Sequence, residues 1–363
     1  GSAGGAGGGS AGDGDDPRRG SSDGDAEDEA GAMSFFQMIK MGYSEIVNAI
    51  IRPPRADYEM SALGPAAFTW RGRRFVRRDF QLTNDRGMTL ECSHWEPHPE
   101  DRPQKELPCV IYLHGNSSCR IGALENLEVV LGEGMSLLAL DLAGSGKSGG
   151  DWVTLGWYER DDVACVVEHL RASGTVSSIG LWGRSMGAAT ALLHGHRDPS
   201  IAAFVLDSPF ADLRQLALEM VEMGKAEAGY RVPGWVVSAA IKMVRSSVLK
   251  KAALDIDKLK PIENVGTCFV PALFAAGEDD SFISPAHSQA IHDAYAGDKN
   301  LVLLPGDHNS PRPRFFHDSA AIFLRTAMRV PDTARLPAAA SSRRADSLLH
   351  SWVVAGGGAG GGG

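Results

Sequence analysis

The stretch Ser178–Leu193 does most to limit what this chain can fold into. Ile179-Gly-Leu-Trp182 reads as a short buried strand, and Gly183-Arg-Ser-Met-Gly187 as a turn too tight for a side chain at either glycine. The small residues after Met186 read as the opening of a helix. Strand, sharp turn and helix in that order belong in a parallel sheet, with the Ser185 hydroxyl projecting over the sheet edge. The new helix aims unpaired N–H groups, and their partial positive charge, at the surroundings of that serine. This is how a covalent nucleophile is presented.

Spacing alone does not single Ser185 out. Glycine-x-serine-x-glycine occurs around Ser10, Ser22, Ser148 and Ser185, in a chain with 43 glycines. Ser10 and Ser22 lie in a low-complexity head with no strand before them. The strand before Ser148 ends several residues too early, and Asp151-Trp-Val follows it in place of a helix of small residues. Only Ser185 has both flanks.

Apolar runs and helical patterns alternate through the rest of the chain. Phe75–Thr83 and Thr89–Glu96 predict a hairpin about the turn Asn84-Asp-Arg-Gly87. Strands are expected at 110–113, 136–140, 179–182, 203–206, 272–276 and 301–304. The predicted helices follow Arg120 and Ser185 and cover 157–172, 285–295 and 315–328. Such alternation argues for an α/β fold, a mostly parallel sheet covered on both faces, with the hairpin at one edge. Residues 211–263 interrupt it and are too long for a loop. Their amphipathic pattern, broken at Gly229-Tyr-Arg-Val-Pro-Gly234, fits a helical cap insertion over the carboxyl edge of the strands. Its apolar stripe (Trp235, Val236, Ala239, Ile241, Val244, Val248) either packs on the body or lines an acyl pocket.

The chain has 363 residues. Residues 1–32 hold eleven glycines and eight acidic residues against two arginines, the composition of a disordered head. Residues 331–363 are expected to be a disordered tail, which leaves one large domain at 33–330. The head accounts for −6 of the formal charge of −9, so the folded part is near neutral and carries no nucleic-acid footprint. Phe35–Ile51 fits one face of a helix, expected to pack on the domain, with peripheral membrane contact as the alternative. The five cysteines lack metal-ligand spacing, and Cys109 and Cys165 read as packed small hydrophobes. Without a secretory signal, the default compartment is the reducing cytoplasm. No metal or cofactor is expected, since Pro97 spoils the helical pairing of His94 with His98.

The layout resembles the α/β-hydrolase fold over nearly all of 75–328. More narrowly, it resembles plant and algal serine hydrolases of the serine aminopeptidase-like (S33-like) type. The stretches that carry the resemblance are Ile51-Arg-Pro-Pro-Arg55, Cys109-Val-Ile-Tyr-Leu-His-Gly-Asn116, Ile179–Gly187 and Gly306-Asp-His-Asn-Ser310. The resemblance implies a Ser–Asp–His triad in that chain order and supplies no substrate.

Of eleven histidines, only His308 follows the last strand on a loop, where a base can reach Ser185. His287, His292 and His317 sit in helical patterns that suggest surface positions. For the acid, the resemblance favours Asp280, in glycine-x-x-aspartate after the seventh-strand candidate. Asp279 is the register-slip alternative. Asp207, ending the preceding strand, is a position some relatives use, and is otherwise expected to shape the loop into the cap. The oxyanion donors expected are the Met186 N–H and, from the resemblance, the Asn116 N–H, with His114 bracing the loop.

This predicts a serine hydrolase acting on a small-molecule ester or thioester through an acyl-enzyme. An S33-like aminopeptidase is the alternative, and a non-catalytic scaffold with this fold a second. Gly144-Ser-Gly-Lys-Ser148 is reminiscent of a phosphate loop, but Asp141 stands where that motif needs its first glycine.

Overall fold

The structure, a computed structural model, describes residues 43–228, 233–337, 347–349 and 352, with side chains 224–228 left out. The expected boundary at residue 33 lies outside the described residues, and the main compact unit takes in the described chain from residue 46 on. The head and the first eight residues of Phe35–Ile51 lie outside the described residues. Helix α1 is described over 43–51, and its Val47 and Ile51 are buried.

Among the described residues nine strands form a single sheet in the order β1-β2-β3-β5-β4-β6-β7-β8-β9. β1 (Ala67–Trp70), β2 (Arg73–Thr83) and β3 (Thr89–Pro97) run antiparallel at one edge, and β3 pairs antiparallel with β5. β4 (Leu107–Leu113), β5 (Ser136–Leu140), β6 (Val176–Arg184), β7 (Ala203–Asp207), β8 (Ala272–Gly277) and β9 (Lys299–Leu304) are parallel. The predicted edge hairpin is β2–β3; β1 extends it by a strand the sequence pattern did not reveal.

The strands buried on both faces explain why they read as continuous apolar runs. Alternate residues feed two cores. Ile111, Leu138, Leu181 and Phe204 pack with α3 (Glu159–Ala172), α4 (Met186–Gly195) and α7 (Pro285–Ala294). Val110, Tyr112, Trp182 and Val205 pack with α2 (Leu124–Gly132) and α8 (Arg314–Ala327). Every residue of α4 is buried, which is why it needs small residues.

The insertion between β7 and β8 contains α5 (Leu213–Ala228) and α6 (Gly234–Ala252). The stripe expected on α6 holds in part: Val244 and Val248 are buried, joined by Val237 and Ala252, whereas Trp235 is 76% exposed and Ala239 is exposed. Val237, Val244 and Val248 share one helical face, seven and eleven residues on from the first, and that face decides the orientation. The tail is not wholly detached either. Leu336 and Leu348 are buried in the second core, and Trp352 meets Phe68 of β1 edge-on, with ring centroids 5.2 Å apart.

Among the described residues no helix is long and apolar enough to cross a membrane. All five cysteines are free; Cys109 is buried and its thiol is pushed up to about 12 by burial, but Cys165 is only half-buried.

Candidate active site

Parallel strands put their carboxyl ends, and the loops that follow them, at one edge of the sheet, and that edge is where chemistry collects. Ser185 follows β6 with φ +53° and ψ −116°, a left-handed conformation unusual for a residue with a side chain. Packing enforces it. A Cβ on Gly187 would collide with the backbone carbonyl of Leu113, and one on Gly183 with the backbone of Gly187. The turn is therefore pressed between β4 and α4 as the sequence predicted.

His308 lies on the loop after β9. Its Nε2 is 3.0 Å from Ser185 Oγ and its Nδ1 2.7 Å from Asp280 Oδ2. Asp280 is 3% exposed, and its other oxygen accepts the N–H groups of Phe282 and Ile283 at 3.0 and 2.7 Å. The carboxylate on Nδ1 calls for the tautomer with its proton there, leaving Nε2 to accept from the serine hydroxyl. Asp279, the register-slip alternative, is exposed. The structure thus brings together Ser185, His308 and Asp280 from three strand ends.

Met186 opens α4, so its N–H has no intrahelical partner. Asn116 stands on the loop after β4, one residue beyond Gly115, and a Cβ on Gly115 would lie 3.7 Å from Ser185 Cβ. Both expected oxyanion donors therefore sit on segments that flank the serine. His114 is fully buried and braces that loop: Nδ1 faces the Gly115 carbonyl at 2.8 Å and Nε2 accepts the Leu142 N–H at 3.0 Å. Burial lowers its pKa, the protonated ring being costly in that environment.

Asp207 does more than was expected of it and one histidine is misplaced. The Asp207 carboxylate accepts the hydroxyl of Ser208, which starts the loop into the insertion, at 3.1 Å, and it also grips Arg312, with Nε and Nη2 each 2.9 Å from one of its oxygens. A buried carboxylate at a strand end requires a cation, and that requirement was the missed signal for Arg312. His287 is not on the surface. It is 2% exposed, its Nδ1 accepting from Ala211 N at 3.2 Å and its Nε2 facing Glu219 of α5 at 2.8 Å. His317 is half-buried beside Asn126. Phe282, also overlooked, lies against the His308 ring and is 45% exposed.

The glycine-rich segment 144–148 is no phosphate cradle. The Asp141 carboxylate fills the place where a Gly146 side chain would go and takes the Lys147 N–H at 2.9 Å. Two surface hollows, of about 800 and 530 Å³, are lined by other residues, around Glu133 and Arg335 and around His94 and His169.

Residues 106–259 match the family described as Serine aminopeptidase, S33. The chain has the α/β-hydrolase fold. It is similar to the uncharacterized protein YqkD of Bacillus subtilis, with 28% identity over 63% of this chain and 72% of that protein. Among solved structures it resembles the Pyrococcus furiosus esterase Pf2001, with a TM-score of 0.55 and 21% identity over 76% of this chain and 98% of the other. An acetyl xylan esterase from Paenibacillus sp. R4 gives a TM-score of 0.55 and 17% identity over 82% and 94%. At these identities the structural likenesses establish the fold.

Proposed function

We propose that this α/β-hydrolase cleaves an ester or thioester of a small acyl compound through an acyl-enzyme on Ser185. The observation that carries the reading is the continuous relay from Ser185 Oγ to His308 to Asp280, at 3.0 and 2.7 Å. His308 Nε2 takes the hydroxyl proton as Oγ bonds to the acyl carbon. Asp280 fixes the ring and stabilises the imidazolium that forms. The oxyanion turns to the N–H groups of Met186 and Asn116, each such donor being worth about 100- to 1000-fold in rate. Collapse breaks the bond to the alcohol or thiol, which leaves with the proton from His308. Water then attacks the acyl-enzyme with the same base, releasing the acid and restoring the serine.

The esterase names of the structural neighbours favour this reading. The family description keeps peptide amides as a second one. We also place the enzyme in the cytoplasm, where its five unbonded thiols stay reduced.

A fluorophosphonate probe should label the wild type and not Ser185→Ala. Nitrophenyl esters of graded chain length, run beside aminoacyl amides, then divide the two substrate classes. A folded wild type that takes no label would leave only the scaffold reading.

A further inference from the structure

Asp207 is joined to both halves of the reactive pair. Its backbone carbonyl accepts the N–H of Ser185 at 2.7 Å, where β7 pairs with β6. Its carboxylate takes Arg312 Nε and Nη2 in a two-pronged contact buried at 2–3% side-chain exposure. Arg312 in turn donates through Nη1 to the Asp307 carbonyl at 3.0 Å and through Nη2 to Ser208 Oγ at 3.1 Å. Burial works against the Arg312 charge, but the Asp207 bond and charge outweigh it and hold its pKa above the ordinary value.

A second guanidinium closes the circuit. Arg184, the residue before the nucleophile, donates from Nη2 to the backbone carbonyl of His308 at 3.1 Å, and its Nε is 3.9 Å from Asp207. The base loop is also stiffened from within: the Asp307 carboxylate takes the N–H of Asn309 and Ser310 at 2.9 and 2.8 Å. So the loop 305–312 is braced, and Arg184, Asp207 and Arg312 tie it to the serine turn.

We infer that Asp207, Arg312 and Arg184 are positioning residues that set the separation of Ser185 and His308, with Asp207 as the joint between the serine turn and the base loop. The inference rests on the hydrolase reading of that site. A buried charge pair is poor evidence of stability by itself, because apolar residues of similar volume often replace it without loss. A fork that fixes a loop to a strand end sets geometry, and an error of about 1 Å in a reacting group costs roughly 100-fold in rate.

The test is the joint substitution Asp207→Leu with Arg312→Met, which strands neither charge and leaves the net charge at the site unchanged. The backbone contact to Ser185 is untouched. Thermal midpoint and fluorophosphonate labelling rate are read together, with kcat and KM on a nitrophenyl ester. The expected result is a midpoint near wild type, labelling slowed about 10- to 100-fold, and the loss confined to kcat. Arg312→Lys, which keeps the charge and loses the fork, should recover only part of the rate.

Arg184→Gln, at a partly exposed side chain, gives a second measure should the double variant fail to fold, with a slowing of about 3- to 10-fold expected from the loss of its bonds to the His308 and Ser310 carbonyls. Wild-type labelling in these folded variants would overturn the positioning role while leaving the hydrolase reading intact. An unlabelled wild type would remove both.

Discussion

The Phe282 ring lies against the imidazole of His308, centroids 5.1 Å apart and planes tilted by 55°. The same residue's N–H donates to Asp280 at 3.0 Å, so its backbone holds the acid while its ring flanks the base. A ring contact of this kind is worth about 0.5–1.5 kcal/mol, or roughly 2- to 10-fold in rate. Phe282→Ala keeps the backbone bond and should lower kcat/KM by that factor. Because the ring is exposed, the loss should grow with acyl chain length in a nitrophenyl ester series. An equal rate on all chain lengths would show that the ring does neither job.

Asp280 and its neighbour separate cleanly. Asp280→Asn should cut turnover about 10⁴-fold, as loss of the carboxylate leaves His308 in the wrong tautomer. Asp279→Asn, at an exposed side chain, should keep it. Steady-state kinetics on both variants decides, and a normal rate in Asp280→Asn would move the acid elsewhere.

The serine turn has no room for a methyl group. Gly187→Ala should fail to fold or lose labelling, because the obstacle is the backbone carbonyl of Leu113, which cannot swing aside. Gly174→Ala is the control: its φ is +63° but nothing lies within 4 Å of the added carbon. The cost there is left-handed strain alone, about 1 kcal/mol. Denaturant midpoints for the two variants should differ accordingly.

Stability should fall on mild acidification in a way traceable to His94. Burial, with the nearby Arg102 and Arg78, lowers its pKa to about 3. At pH 7 the ring is neutral in both folded and unfolded chains. Below about 6.5 the unfolded chain takes up a proton that the folded chain refuses until near 3. Stability therefore drops by roughly 1.4 kcal/mol per pH unit across that window. The Asp162 carboxyl, pushed up to about 6 by burial, opposes this between pH 6 and 4 by binding its proton earlier when folded. Comparing wild type with His94→Gln at pH 7 and pH 5 isolates the imidazole. The variant should lose less on acidification, and an identical loss would exclude His94.

Most of the frame was legible because it is written in short-range patterns. Buried parallel strands are bare apolar runs, the turn at Ser185 announces itself through Gly183 and Gly187, and His308 follows the last run. What stayed hidden depends on side chains meeting over long separations. The Asp207–Arg312 contact joins residues 105 apart, and no local pattern distinguishes Arg312 from Arg314 two residues later. His287 has the spacing of a surface position, and only the insertion folding down beside it makes it buried. The cap stripe held at Val244 and Val248 and missed at its amino-terminal end for a simpler reason. Trp235 is the most apolar-looking anchor of α6, yet the face carrying Val237, Val244 and Val248 turns inward.

The insertion between β7 and β8 bears on protein engineering. Ser185, Asp280 and His308 hang from β6, β8 and β9, so exchanging 213–252 for a segment from another protein leaves their attachments alone. A donor segment must still offer His287 an acceptor in place of Glu219 and spare the Ala211 N–H that the ring already uses. With those two contacts respected, the segment is a replaceable module hung on strand ends that carry none of the three reacting groups' attachments.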